Sequence, residues 1–189
     1  MKVLAIMGSH RKGGNTAQAL DAFLSGLPES VTVERIELID QTIGMCKACG
    51  YCERHYGKCI LEDDMTALYE AFKTADGVIF ATPVYFNGVS TLMKMMVDRI
   101  QMVFACDFAF KEPFVDPESL KRGYLISVGG AKAYEKQFIG PEICVELVLK
   151  DLHASFLGHH KISNTDALPV KERTDELEAL KKAGADFLK

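Results

Sequence analysis

The sequence predicts an α/β protein, a doubly wound three-layer sandwich in which a five-stranded parallel sheet carries helices on both faces. Two observations point there. Short apolar runs alternate with amphipathic stretches in five successive β-then-α units, and parallel strands need crossovers, which are right-handed and lay a helix on the sheet. The 189 residues show no internal repeat, low-complexity segment or linker, so a single domain over 1–189 with its own core is expected.

Val3 to Met7 is a continuous apolar run closed by Gly8, the pattern of a strand buried on both faces. Thr16 to Leu27 follows, with Leu20, Phe23, Leu24 and Leu27 on one helical face and Gly26 near its end. Val31 to Leu38 is rich in β-formers but interrupted by Glu34 and Arg35, which suits an edge strand. Asp63 or Asp64 is expected to cap a helix bearing Met65, Leu68, Phe72 and Ala75. Gly77 to Thr82 predicts a second buried strand, Ser90 to about Phe104 an apolar helix, and Gly123 to Val128 a third buried strand. Pro141 suits the first turn of a helix whose apolar stripe is Ile143, Leu147, Val148 and Leu152. A weaker strand over Phe156 to Ile162 and a helix from Thr174, with Leu177, Leu180 and Phe187, complete the series.

With a net charge of -4, nothing suggests the basic stripe of a nucleic-acid surface, and no nucleic-acid partner is expected. The first apolar run is too short for the core of a secretory signal, and no stretch reaches membrane-spanning length. A cytoplasmic protein with no membrane partner is therefore expected. In that compartment thiols stay reduced, and clustered cysteines serve metals or catalysis more often than disulfides.

Doubly wound sheets bind ligands outside the carboxyl ends of their strands, where strand order reverses. The loops after the first and third strands are thus the places to search. The first reads Gly8-Ser9-His10-Arg11-Lys12-Gly13-Gly14-Asn15-Thr16 and runs straight into a helix. Small residues such as Gly14 permit a tight turn; helix-start amides, the Ser9 and Thr16 hydroxyls, the Asn15 amide and the Arg11 guanidinium can all bind phosphate. Neither the triphosphate P-loop nor the dinucleotide GxGxxG pattern is present, and the alternative to a phosphate cradle is a merely structural glycine-rich turn capped by Ser and Thr. The other loop, Thr82-Pro83-Val84-Tyr85-Phe86-Asn87-Gly88, brings two aromatics and an amide to the same crevice. Taken alone, Tyr85 and Phe86 would more simply close the core. Paired with a phosphate cradle, they favour a ligand with a planar ring at one end and a phosphate at the other, which is the shape of FMN.

Gly8-Ser9-x-Arg11-x2-Gly14-Asn15-Thr16, Asp63-Asp64-Met65, Pro83-Val84-Tyr85-Phe86, and Lys94 with Asp98-Arg99 together resemble the flavodoxin-like superfamily of NAD(P)H-dependent FMN reductases. Cys46-x2-Cys49-x2-Cys52-x6-Cys59 is similar, in number, order and position between the second strand and second helix, to the branch called iron-sulfur flavoproteins. It departs at Ala48, where members commonly carry glycine. The resemblance implies the flavodoxin-like strand order 2-1-3-4-5 and a cysteine-rich loop at 45–60. It assigns the FMN phosphate to Ser9, Arg11, Asn15 and Thr16, and the isoalloxazine to Pro83, Val84, Tyr85, Phe86 and Asn87, with Gly129 and Gly130 beside the ring or ribityl chain. It also implies a homodimer or homotetramer.

Three thiolates at two-residue gaps can each reach a different iron of a 4Fe-4S cluster, and Cys59 would close the same site, since the chain has no second run. Zinc is the runner-up, although its ligands usually come as two separated pairs; His55 could replace one thiolate. A redox dithiol is a further reading, with Lys47, Arg54 and Lys58 favouring thiolates. Four unligated cysteines is the plainest. Cys144 is expected to be a small buried hydrophobe. No histidine, His10 and the adjacent His159 and His160 included, is given a catalytic role. The Met93, Met95 and Met96 run is expected in the core, with a subunit interface as the other use of so apolar a helix.

Flavin handles two electrons as hydride or one at a time, whereas an iron-sulfur cluster moves single electrons. The expected protein is thus an FMN-dependent electron-transfer oxidoreductase, served by NAD(P)H or a ferredoxin-like donor and an acceptor of open identity. The alternatives are a cluster-free NAD(P)H-dependent FMN or quinone reductase and a non-catalytic flavodoxin-like electron carrier.

Overall fold

β1 (Lys2–Met7) and β3 (Gly77–Pro83) lie side by side at the centre of a five-stranded sheet ordered β2-β1-β3-β4-β5. β2 (Thr32–Glu37) and β5 (Ala154–Ile162) form the edges, and β4 (Lys121–Val128) completes the sheet. Every pairing is parallel. The computed structural model describes residues 1–119 and 121–189.

The two central strands are covered on both faces, which is why they read as unbroken apolar runs. Alternation along β1 separates two cores: Leu4 and Ile6 face one, Val3, Ala5 and Met7 the other. The first is filled by α2 (Met65–Thr74), α3 (Thr91–Arg99), α4 (Gln101–Ala105) and α5 (Ile139–Asp151), and the second by α1 (Asn15–Leu24) and α6 (Thr174–Asp186). Each fully buried aliphatic side chain contributes about 1.5–3 kcal/mol.

Several boundaries differ from expectation for identifiable reasons. α1 stops at Leu24 rather than Leu27, and Gly26 just beyond it lies so close to α6 that a Cβ there would stand 1.9 Å from the Lys181 carbonyl oxygen. The apolar helix expected over Ser90 to Phe104 is interrupted at Ile100, after which α4 passes into a π-turn over Cys106–Phe110. Ser90 caps α3, accepting from the Met93 amide at 3.1 Å while donating to Gly8 O at 2.5 Å. β5 begins two residues earlier than expected, at Ala154, and Leu157 is skipped in the register where Gly123 faces Phe156 and Tyr124 faces Gly158.

On α5 the stripe differs more. Val148 and Leu152 are buried as expected, but Ile143 and Leu147 are 53% and 58% exposed, while Pro141, Val145 and Leu149 face the core. The helix is apolar around most of its circumference, so periodicity alone does not choose its inner face. Cys144 is half-buried rather than fully enclosed, whereas Cys106 is buried. Met93 and Met96 are core residues. Among the described residues no helix is long and apolar enough to cross a membrane.

Candidate functional site

At the carboxyl ends of β1, β3 and β4 the structure opens two adjoining pockets that share Val84, Tyr85, Gly130 and Ala131. One, about 340 Å³, is walled by Ser9, Arg11, Gly14, Asn15, Thr16 and Pro83 from the sequence-derived set. The other, about 370 Å³, is walled by Phe86, Asn87 and Gly129. All twelve residues expected to surround one ligand therefore converge on one crevice.

The cradle end is a donor-rich helix start. Gly14 is the N-cap of α1 and makes no side-chain cap, which leaves first-turn amides without helical partners. Asn15 Oδ1 accepts from the Val170 amide at 3.0 Å, so the remaining capacity of its side chain is the Nδ2 donor. Ser9 and Thr16 are buried there, and Ser9 Oγ accepts from the Arg11 amide at 3.1 Å. Donors without acceptors beside an Arg side chain fit a phosphate.

The aromatic end carries backbone strain. Phe86 and Asn87 both have positive φ, 48° and 58°, and form the tip of a tight turn in which the Tyr85 amide donates to Gly88 O and the Gly88 amide to Tyr85 O. Left-handed non-glycine residues each cost about 1–3 kcal/mol and concentrate at ligand clamps. The turn leaves Phe86 wholly exposed and aims Asn87 Oδ1 at the Tyr134 hydroxyl. A flat apolar wall beside a polar rim fits an isoalloxazine ring.

Part of this crevice carries no mark in the sequence. Thr165 and Asp166 line the cradle pocket, and Tyr134 and Gln137 the ring pocket. The Thr165 and Asp166 amides bond Gly129 O and Gly130 O, both at 3.2 Å, which folds the loop after β5 over the crevice. The rule that ligands meet strand carboxyl ends applies to β5 as much as to β1 and would have pointed there. Below the floor, His159 Nε2 meets Ser127 Oγ at 2.9 Å and its Nδ1 lies 3.3 Å from Glu142. Ser127 is fully buried, so the trio has no access to a substrate and acts structurally. Burial pulls His159 down to about 4, keeping the imidazole neutral near pH 7 despite Glu142.

Cys46, Cys49, Cys52 and Cys59 line a second cavity of about 440 Å³, together with Arg99, Gln101 and Met102. All four are free thiols, Cys46 and Cys49 exposed, Cys52 and Cys59 partly covered. Ala48 and Gly50 take positive φ, 49° and 65°, and these reversals turn successive thiols toward one space. The αL conformation of Ala48 accounts for glycine being the easier residue at that point. Among the described residues no three His, Cys, Asp or Glu side chains come close enough to share one metal ion. Four thiols lining one cavity are the donor set that an iron-sulfur cluster takes, one thiolate to each iron. His55 stacks on Tyr51, centroids 3.8 Å apart. Burial, with the charges of Cys59, Glu53 and Cys46, pushes the Cys52 thiol up, which works against an activated dithiol there.

The loop closes at a neck. The Asp64 amide donates to Thr42 O at 3.2 Å, the Thr42 amide to Asp64 Oδ2 at 2.7 Å, and the Gly44 amide to Asp63 Oδ2 at 2.8 Å. Asp63 Oδ1 also accepts from the Met65 amide at 3.1 Å, so Asp63 supplies the side-chain bond at the start of α2, though Asp64 holds the N-cap position. Burial alone would raise the Asp63 carboxyl; Arg99 and the amides outweigh it and hold the group below the usual carboxylate range.

The pattern described as NADPH-dependent FMN reductase matches residues 1–136. An iron-sulfur flavoprotein of Methanocaldococcus jannaschii is 33% identical over 173 residues, covering 90% of this chain and 79% of that protein. The chain belongs to the NADPH-dependent FMN reductase family, in its iron-sulfur flavoprotein branch. An iron-sulfur flavoprotein of Methanosarcina thermophila is 34% identical over 133 residues; the match covers 70% of this chain and 65% of that relative, slightly under two thirds of its length. The fold is also that of an FMN-dependent NADH-azoreductase from Bacillus anthracis solved in complex with FMN, with a TM-score of 0.70, 13% identity and full coverage of both chains. Family and fold together make this chain an FMN-dependent oxidoreductase.

Proposed function

We propose that the protein is an electron-transfer oxidoreductase that holds FMN in the crevice and a 4Fe-4S cluster in the cysteine cavity, with electrons passing between them. The observation that carries the reading is that all four cysteines of the Cys46–Cys59 run line one cavity as free thiols, in a chain similar to proteins named iron-sulfur flavoproteins. The flavin supplies hydride and single-electron chemistry, and the cluster one-electron transfer.

The chain's own residues do the positioning. Arg11, Ser9, Thr16, the Asn15 amide and the α1 N-terminus hold the phosphate. Pro83 to Asn87 flank the ring, Gly129 and Gly130 leave room beside it, and Asp166 offers an acceptor for ribityl hydroxyls. Cys46, Cys49, Cys52 and Cys59 ligate the iron. α3 spans the two sites: Ser90 at its start bonds the phosphate loop and Arg99 at its end lines the cysteine cavity, a rise of about 14 Å along the axis. The electron donor is NAD(P)H or a ferredoxin-like carrier, and the protein works in the cytoplasm as a homodimer or homotetramer. The exposed Ile139, Ile143 and Leu147 stripe of α5 is one apolar surface available for that pairing.

The test is protein purified without oxygen, with iron, acid-labile sulfide and FMN quantified in one sample, followed by stopped-flow reduction. About four irons and four sulfides per flavin are expected. Flavin without iron or sulfide, after reconstitution has been attempted, would sink the cluster and leave an NAD(P)H-dependent FMN or quinone reductase. Rapid flavin reduction by NAD(P)H alone identifies that donor; dependence on reduced ferredoxin identifies the other.

A further inference from the structure

Arg99 is the largest fully buried side chain of the protein, 1% exposed, and sits where α3 ends against the cysteine cavity. Its Nη1 donates to Asp63 Oδ2 at 2.6 Å and to Gly44 O at 2.9 Å, and its Nη2 to Asp63 Oδ1 at 3.1 Å and Leu61 O at 3.4 Å. Gly44 and Leu61 are the two residues that bracket the 45–60 loop. One guanidinium thus ties both ends of the loop to each other and to the body of the protein, from 55 and 38 residues away in sequence. The break at Ile100 is supported from behind, since the Tyr69 hydroxyl donates to Arg99 O at 2.8 Å. The remaining guanidinium donor, Nε, is buried and has no partner among the described residues.

We propose that Arg99 is the positioning residue of the cysteine cavity: paired with Asp63, it clamps the neck of the loop so that the thiols stay directed into one space around the group held there. The proposal rests on the cluster reading for the identity of that group, while the clamp itself concerns residues of this chain alone. A buried charge is retained at such a point for geometry, because the planar fork of Arg can serve a carboxylate and two carbonyls at once, which a Lys ammonium on its flexible stem cannot do in the same arrangement.

The experiment compares the wild-type chain with Arg99→Met, Arg99→Lys and Asp63→Asn, each purified without oxygen with FMN bound. FMN per chain serves as the control for an intact body. Iron loss to a chelator should be at least about tenfold faster in Arg99→Met, since breaking a buried pair costs several kcal/mol and each 1.4 is tenfold. Arg99→Lys should recover part of that loss. The cluster midpoint potential should shift in opposite directions, down in Arg99→Met, which strands the Asp63 carboxylate, and up in Asp63→Asn, which strands the guanidinium. A merely structural role does not produce opposite signs. Should Arg99→Met fail to fold, Arg99→Lys, which keeps the charge but loses the fork, should lose iron faster than wild type at a nearly unchanged potential, whereas Asp63→Asn should lose iron faster and raise the potential.

If the wild-type chain takes up no iron, the cluster reading fails and the clamp is read on thiols instead. Alkylation of the partly covered Cys52 and Cys59, relative to the exposed Cys46 and Cys49, should be about tenfold faster in Arg99→Met than in wild type. FMN-replete variants with unchanged iron retention and potential, or unchanged relative alkylation in the iron-free chain, would overturn the proposal.

Discussion

The crevice at the strand ends is shaped by main chain. The Gly8 amide bonds Ala81 O at 2.8 Å, the Val84 amide Val128 O at 2.8 Å and the Gly129 amide Ile162 O at 2.7 Å, carrying the sheet's own ladder to the rim. The cysteine cavity contains no helix or strand across its sixteen-residue loop, 45–60, and its neck depends on the side chains of Asp63, Asp64 and Arg99. Backbone ladders are insensitive to which side chains they carry, whereas a loop held by a few side chains fails when one of them is changed. The two sites should therefore separate under mutation, ligand by ligand.

The largest effect is expected from replacing thiols. The double substitution Cys49→Ser and Cys52→Ser should abolish iron and sulfide content while FMN per chain stays at the wild-type level; concurrent loss of flavin would break the separation. Next comes Arg11→Ala, which removes a charged donor from the phosphate end. FMN affinity should fall about 10- to 100-fold, matching the roughly 1.5–3 kcal/mol of a hydrogen bond to a charged group, and iron content should not change. Flavin titration by fluorescence quenching, run beside an iron assay, reads both.

Acid should weaken the crevice side through His159. Its folded-state value, about 4, lies below the ordinary 6.5, so between those values the unfolded chain binds the proton more readily. Stability attached to this group is complete above pH 6.5 and is lost as pH falls toward 4. Urea unfolding should show a decline on the order of 1–3 kcal/mol over that window. His159→Gln, whose amide can still meet Ser127, should flatten it. The smallest effect belongs to the loop: Ala48→Gly relieves a φ of 49° and should raise stability by about 1 kcal/mol without altering FMN binding. A decrease would mean that Ala48 packs in a way its backbone angle does not convey.

Much of the crevice was legible because its residues are local and its location follows from topology. A buried strand, a small-residue turn and a helix start in succession identify Ser9 to Thr16, and Pro83 to Asn87 follow the neighbouring strand. The cysteine spacing likewise reads directly. Thr165, Asp166, Tyr134 and Gln137 did not show, since no motif marks them and only the folding of the loop after β5 onto Gly129 and Gly130 brings two of them to the crevice. The inner face of α5 did not show either, since Ile143 and Leu147 are as apolar as Val145 and Leu149.

The alternation of strands and helices, hence the sheet and its crevice, is written in the local chain, because apolar period and turn chemistry act over a few neighbouring residues. So are four thiols at a spacing suited to iron. Which apolar residues of α5 meet the core, and that a guanidinium at the end of α3 closes a loop whose ends are 38 and 55 residues distant, emerge once the chain is packed. Both depend on what packs opposite, and that partner is fixed by the assembled sheet rather than by the local chain.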